Sequence, residues 1–262
     1  MIIDFHAHCF PDSLAARAMQ NLQQASGLPY FQNGTVADLI RSTRQAGIDR
    51  VVVQPIATRS DQTHRINRWI LEIQGDTLLG FGALHPDSKK WAAEIDQLKS
   101  AGLRGIKFHP EYQDFFVDDP RYFPLYEAIF AAGLMILFHA GADLAYEEPC
   151  RCTPARLSNV LDAFPGGVVI AAHMGGYHYW DEVESLLIGR DLYLDTSFSA
   201  AELGGERMTR MIRAHGPGKI LFGSDSPWKD QTGALAEIRG LRLLPAEESG
   251  ILGENAARLL GI

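Results

Sequence analysis

Short apolar or β-branched runs recur along the whole chain, beginning near Ile2, Val51, Leu79, Leu103, Leu134, Val168, Leu192 and Ile220. Each is bounded by turn residues and followed by a stretch of helical periodicity, the pattern of a repeated β/α unit. Their mean spacing of about 31 residues matches the ~30-residue length of such a unit. Eight of them predict a closed (β/α)8 TIM barrel, a single domain over residues 1–262. Val51-Val52-Val53 and Val168-Val169-Ile170-Ala171-Ala172 are continuously apolar rather than alternating, as parallel strands covered on both faces require. Helices are expected over 35–46, 62–73, 91–101, 123–132, 153–163, 206–214 and 233–243. Gly47, Gly102 and Gly133 stand where left-handed C-caps would precede the next strand. Residues 9–34 read as a long first loop and 253–260 as a closing helix. A doubly wound open sheet is the competing architecture, but no glycine-rich phosphate turn follows the first strand.

Composition narrows the partners. With 46% hydrophobic and 21% charged residues the chain can bury a sizeable core. Lys and Arg number 24 against 32 Asp and Glu, a net charge of −8, which lacks the basic footprint of a nucleic-acid or anionic-membrane binder. The first residues, Met1-Ile2-Ile3-Asp4-Phe5-His6, carry neither a basic leader nor a long apolar run, so a cytoplasmic protein acting on a small molecule is expected, with no nucleic-acid partner and no membrane attachment. Cys9, Cys150 and Cys152 make an odd count that suggests no disulfide framework, and a lone Cys150-Arg151-Cys152 lacks the two further ligands of a structural metal site.

The polar residues carry the chemistry. His6 and His8, Lys107 and His109, His139, His173 and Asp225 each stand at the C-terminal end of an apolar run, on the first, fourth, fifth, sixth and eighth expected strands. In a β/α barrel those ends converge on the mouth where active sites are built. His6 and His8 are two apart on a strand, so their side chains point the same way and can chelate one ion. Imidazole suits Zn, Fe and Ni, and Asp225 offers an anionic oxygen. One such histidine is ordinarily a core residue satisfied by a carbonyl; His6, His8, His139, His173 and Asp225 together at one mouth are not accounted for in that way.

Five stretches, Ile3-Asp4-Phe5-His6-Ala7-His8, Gly105-Ile106-Lys107-Phe108-His109-Pro110, Leu137-Phe138-His139-Ala140-Gly141, Ala172-His173-Met174-Gly175-Gly176 and Leu221-Phe222-Gly223-Ser224-Asp225-Ser226-Pro227, resemble the amidohydrolase superfamily. The likeness is to its amidohydrolase-related (amidohydrolase 2) branch of metal-dependent hydrolases and decarboxylases. The resemblance implies that His6, His8, His139 and Asp225 ligate a divalent metal, zinc first, with manganese or iron as alternatives. His173 matches a histidine that either polarises substrate and shuttles protons or binds a second ion, and the first role is favoured. Lys107 matches the lysine that bridges two ions as a carbamate in binuclear relatives such as ureases and dihydroorotases, and Glu111 is a further candidate ligand. One ion per chain is favoured over two.

A bound divalent ion lowers the pKa of its water toward ~7 and polarises carbonyls, so the leading reading is a hydrolase acting on an amide, lactone or other ester in a small, carboxylated molecule. Asp225 would act as general acid/base and His173 would stabilise an oxyanion. His109, Arg59, Arg151 and Trp228 are candidate substrate contacts. Trp228, Tyr177, His178, Tyr179, Trp180 and Phe115-Phe116 read equally as the wall of an apolar pocket and as packing for loops or the interface of a homo-oligomer. Three alternatives stand beside the hydrolase. The first is a decarboxylase or hydratase of a small carboxylic acid. The second is a TatD-like nuclease, opposed by the missing acidic ligand on the fourth strand and the net charge. The third is a metal-binding scaffold without catalysis, opposed by Asp225.

Overall fold

The apolar runs become strands within two residues of their expected starts. A computed structural model describes residues 1–262, with strands β1 (Ile3–Ala7), β2 (Arg50–Val53), β3 (Leu78–Gly80), β4 (Gly82–Ala83), β5 (Gly105–Phe108), β6 (Met135–Phe138), β7 (Val169–Ala171), β8 (Tyr193–Asp195) and β9 (Ile220–Leu221). The third expected strand is broken at Phe81 into β3 and β4, which raises eight runs to nine strands. The strands pair in parallel, with Asp4 opposite Val51, Lys107 opposite Leu137 and Asp195 opposite Leu221. The strands are buried almost throughout, as both-face coverage of a parallel sheet demands.

The chain forms two compact units, one of Met1–Val53, Gln74–Leu79 and Leu194–Ile262, the other of Gln54–Ile73 and Gly80–Tyr193. In the first, β1 pairs with β2, and Val51 N–H donates to Thr77 O. On its other side β1 meets β9 and the residues after it: Phe5 N–H donates to Phe222 O (2.7 Å), Asp225 N–H to His6 O (2.8 Å) and His8 N–H to Ser226 O (2.6 Å). In the second unit β4, β5, β6 and β7 pair in sequence order.

Helices follow the strands as expected, among them Val36–Gln45, Thr63–Ile73, Trp91–Ser100, Phe123–Ala131, Pro154–Ala163, Gly205–His215 and Gln231–Gly240. The expected long first loop is instead largely a helix, Asp12–Ser26, which buries only Ala15 and Met19 and ends where Gly27 adopts a left-handed φ of 71° and donates to Gln23 O. Its Ala, Leu, Met and Gln content favours a helix, but so little of it faces the core that apolar periodicity is nearly lost. No helix is long and apolar enough to cross a membrane.

Beyond β6 the chain is held by close backbone contact. Gly141 (φ 85°) donates its N–H to Cys152 O at 2.9 Å and lies so near Tyr177 that a Cβ there would sit 2.1 Å from Tyr177 N. Gly141→Ala therefore combines a strained φ with a backbone collision and should lower the unfolding free energy by about 3 kcal/mol. Urea denaturation measures this, and a midpoint equal to wild type would refute the constraint.

Candidate active site

In the first unit three donor atoms converge. His6, within β1, and His8, just beyond it, are buried and lie on one face of the strand. Their Nε2 atoms are 3.2 Å apart, and Asp225 Oδ1 lies 3.6 Å from His6 Nε2 and 3.2 Å from His8 Nε2. Asp225 reaches this position from a left-handed backbone (φ 67°), a conformation that costs on the order of 1–3 kcal/mol for a non-glycine residue. The N–H it gives to His6 O and the O it offers to Trp228 N–H (3.0 Å) hold it there. Trp228 packs edge-on against His8, with ring centroids 5.4 Å apart.

Behind these donors lies a buried polar layer. His6 Nδ1 is 2.8 Å from Oδ2 of Asp195 and 3.1 Å from Ser197 Oγ, and the Ser197 hydroxyl and N–H both donate to Asp195 Oδ1. Asp4, one turn of the pleat before His6, accepts from His6 N–H (3.1 Å), Ser224 N–H (2.9 Å), Gln231 Nε2 (2.8 Å) and the Ser224 hydroxyl. Complete burial outweighs those four bonds and raises the Asp4 carboxyl from 3.8 to about 6.

The second unit gathers another set. His173 Nε2 lies 3.0 Å from His139 Nδ1, at the ends of β7 and β6. The His109 ring is stacked between Tyr112 (3.8 Å) and His139 (4.1 Å), and its Nε2 is 3.3 Å from Asp143 Oδ2. Gln113 pins the His109 backbone by accepting its N–H at 2.9 Å while donating to Ala57 O and Leu84 O. Burial, then the neighbouring His109, His173 and Lys107, push His139 well below the usual imidazole range, so it is neutral at pH 7. Its Nε2 is buried without a hydrogen-bond partner, as is Glu111 Oε2. Glu111 Oε1 accepts the Arg151 N–H (2.9 Å), and burial raises its carboxyl. Lys107 is fully buried on β5.

The remaining candidates scatter. Arg59 is exposed and pairs with Asp61, and Arg151 spends its guanidinium on Asp114 at 2.6 Å. All three cysteines are free and buried, and burial pushes Cys9 and Cys150 up to about 12, far from thiolate chemistry. Tyr177 and Trp180 are packed inside the second unit, where Trp180 Nε1 donates to His173 O at 3.1 Å.

The donors fit a metal. With Asp195 Oδ2 against its Nδ1, His6 turns Nε2 toward His8 Nε2 and Asp225 Oδ1, and a proton on Nδ1 would leave a lone pair there that a cation reconciles with the carboxylate. Separations of 3.2–3.6 Å match those of neighbouring ligands on an ion with bonds of about 2.1 Å. His6, His8 and Asp225 form one such group and His109, His139 and Asp143 another.

A model of the amidohydrolase family matches residues 3–262. The chain belongs to this family. Among solved structures, this amidohydrolase is similar over 100% of its length to 99% of the 5-carboxyvanillate decarboxylase of Sphingomonas paucimobilis (18% identity, TM-score 0.76). It matches a TIM-barrel protein of Bordetella bronchiseptica over 99% of its own chain and 98% of that one (20%, 0.77). It also matches the dihydroxybenzoic acid decarboxylase of Polaromonas, solved with manganese and the inhibitor 2-nitroresorcinol, over 99% and 96% of the chains (16%, 0.75). No curated protein sequence matches it. The amidohydrolase thus has the (β/α)8 TIM-barrel fold expected from its repeats.

Sequence reasoning missed Asp195, Ser197, Asp4 and Asp143. Asp195 carried a usable signal, an acid at the C-terminal end of the seventh apolar run, the place that selected the histidines on other strands. Asp4 sits mid-strand in an otherwise apolar run, which marks a buried carboxylate in need of partners.

Asp4 generates a pH prediction for the chelator-treated amidohydrolase. Its folded pKa of about 6 exceeds the unfolded 3.8, so the folded state holds the proton more tightly. The stabilisation is fully present below 3.8 and is lost as pH rises through 6, a change of about 3 kcal/mol. Unfolding curves for wild type and Asp4→Asn should diverge across that window, and parallel curves would refute the shift.

Proposed function

We propose that this amidohydrolase is a divalent-metal-dependent decarboxylase of a small aromatic carboxylic acid. The observation that carries the reading is the convergence of His6, His8 and Asp225 in a chain whose full-length structural relatives include decarboxylases of such acids. This reverses the order drawn from sequence, where hydrolysis by an activated water stood first. The same donor set serves both reactions, so the motifs alone did not separate them.

In this reading His6, His8 and Asp225 hold the ion, and the family resemblance adds His139, whose neutral imidazole with its unpartnered Nε2 is a competent donor. Manganese, present in a structural relative, joins zinc as the ion to test first. When bound, the ion supplies positive charge to the substrate carboxylate and an adjacent oxygen. The bond from ring carbon to carboxylate would break with CO2 departing, and the electron pair left on the carbon would take a proton that enters from solvent and is relayed by the second oxygen of Asp225, which ends ionised as it began. His173 steadies the developing charge, while His109 and Trp228 contact the substrate; Arg151, its guanidinium engaged by Asp114, is not assigned a part. Arg59, exposed and engaged with Asp61, is not assigned a part.

Hydrolysis of an amide, lactone or ester is the second reading, favoured by the description of the matching family. The test is CO2 release by Mn2+- or Zn2+-loaded protein from hydroxybenzoates and carboxylated phenols, run beside an ester, lactone and amide panel. Turnover of a benzoate is expected, and hydrolysis alone would overturn the lyase. Asp225→Asn should lower kcat by about 10²- to 10⁴-fold with an unchanged thermal midpoint. His139→Ala, measured by metal content per chain, should bind less metal than wild type, and equal content would remove it from the ligand set.

A further inference from the structure

Asp195 is not among the residues that the sequence motifs single out, yet the first unit is built to bring it to His6. Thr196 N–H donates to Leu221 O at 3.0 Å, and the Thr196 hydroxyl lies 3.1 Å from Gly223 N and 3.2 Å from Gly223 O, locking the end of β8 onto the end of β9. Gly223 has no side chain at the point where a Cβ would stand 2.8 Å from His6 Cβ and 3.3 Å from Ser197 Cβ. That gap lets β8, β9 and β1 approach closely enough for Asp195 Oδ2 to reach His6 Nδ1 at 2.8 Å. Asp195 and Ser197 are wholly buried, so no bulk water competes for the bond.

We propose that Asp195, braced by Ser197, is the positioning residue that fixes His6 as an Nε2 metal ligand. An imidazole has two nitrogens and in its neutral form one proton, so a carboxylate on one side decides which nitrogen is left to bind. Asp195 accepts the Nδ1–H hydrogen bond, aims the Nε2 lone pair toward His8 and Asp225, and increases the donor strength of the ring. Ser197 gives Asp195 Oδ1 two donors and places its own oxygen beside Nδ1 at 3.1 Å, which holds the carboxylate against the ring. Partners of this kind typically contribute 10- to 100-fold to metal affinity.

The inference rests on the reading of His6 as a metal ligand, and the experiment separates the two. Co2+ affinity is measured by competition with a chelator, together with the visible d–d spectrum, for wild type, Asp195→Ala, Asp195→Asn and Ser197→Ala. Folding of each chelator-treated protein is checked by near-ultraviolet circular dichroism. Asp195→Ala should bind Co2+ about 10- to 100-fold more weakly with an altered d–d band, and Asp195→Asn, which keeps an oxygen acceptor, should recover part of the loss. Folded Asp195→Ala with wild-type affinity and spectrum would overturn the proposal and leave the metal reading standing. Wild type that takes up no Co2+ would overturn both. Should Asp195→Ala not fold, nitrogen-15 spectra of the Zn2+-loaded wild type decide: a proton on His6 Nδ1 supports the assignment, and one on Nε2 overturns it.

Discussion

The hydrogen bonds between β1 and the chain that follows β9 set the first cluster of the site. Residue 6 and residue 225 lie at opposite ends of the sequence, and three backbone bonds, from Phe5 to Phe222, Asp225 to His6 and His8 to Ser226, bring them side by side in parallel register. A slip of one residue would turn His6 and His8 to the other face of the strand and carry Asp225 away from them. Gly223 tightens the same junction by removing a side chain where two strands would otherwise stand apart. The left-handed φ of Asp225 is the cost of ending the strand abruptly enough to swing a carboxylate inward.

Burial without solvent makes each charge behind this junction depend on its partners. Asp4 answers with four donors and Asp195 with His6 and Ser197, so two acids at zero exposure, each bonded to His6, are accommodated. Breaking one partner of such a group costs more than the bond gained, because the charge is left in a medium that solvates it poorly. The second unit is arranged differently. His139 Nε2 and Glu111 Oε2 are buried with no hydrogen-bond partner, while the histidines around them stack and hydrogen-bond to one another. Unsatisfied polar atoms in an otherwise well-packed interior mark where a ligand is received rather than where the fold is held.

Legibility in the sequence followed burial. Every expected strand was found because a doubly covered parallel strand must be apolar along its whole length, a signal that no other element imitates at that spacing. The helix Asp12–Ser26 was hidden because it buries only two side chains, and the break at Phe81 because a two-residue strand has no periodicity to read. Histidines stood out at strand ends because they are rare in apolar runs. Asp195 stood in the same kind of position, yet a single acid there reads as the first residue of a loop; only the contact with His6, formed 189 residues away, gives it meaning. Arg59 illustrates the converse: a loop arginine after a strand carries the right chemistry, but its nearest acid, Asp61, engages it at the surface.

The choice between lyase and hydrolase turns on what is absent from any ligand motif. Two imidazoles and a carboxylate prepare an ion to neutralise negative charge, and both a carboxylate leaving as CO2 and a tetrahedral adduct of water develop near it. What differs is the room left for a nucleophile and the face presented to the substrate ring. Each unit sets an aromatic ring beside its histidines: Trp228 in T-shaped contact with His8 in the first, and Tyr112 stacked on His109 in the second. The strand ends thus carry the charged groups, and aromatic side chains stand directly beside them.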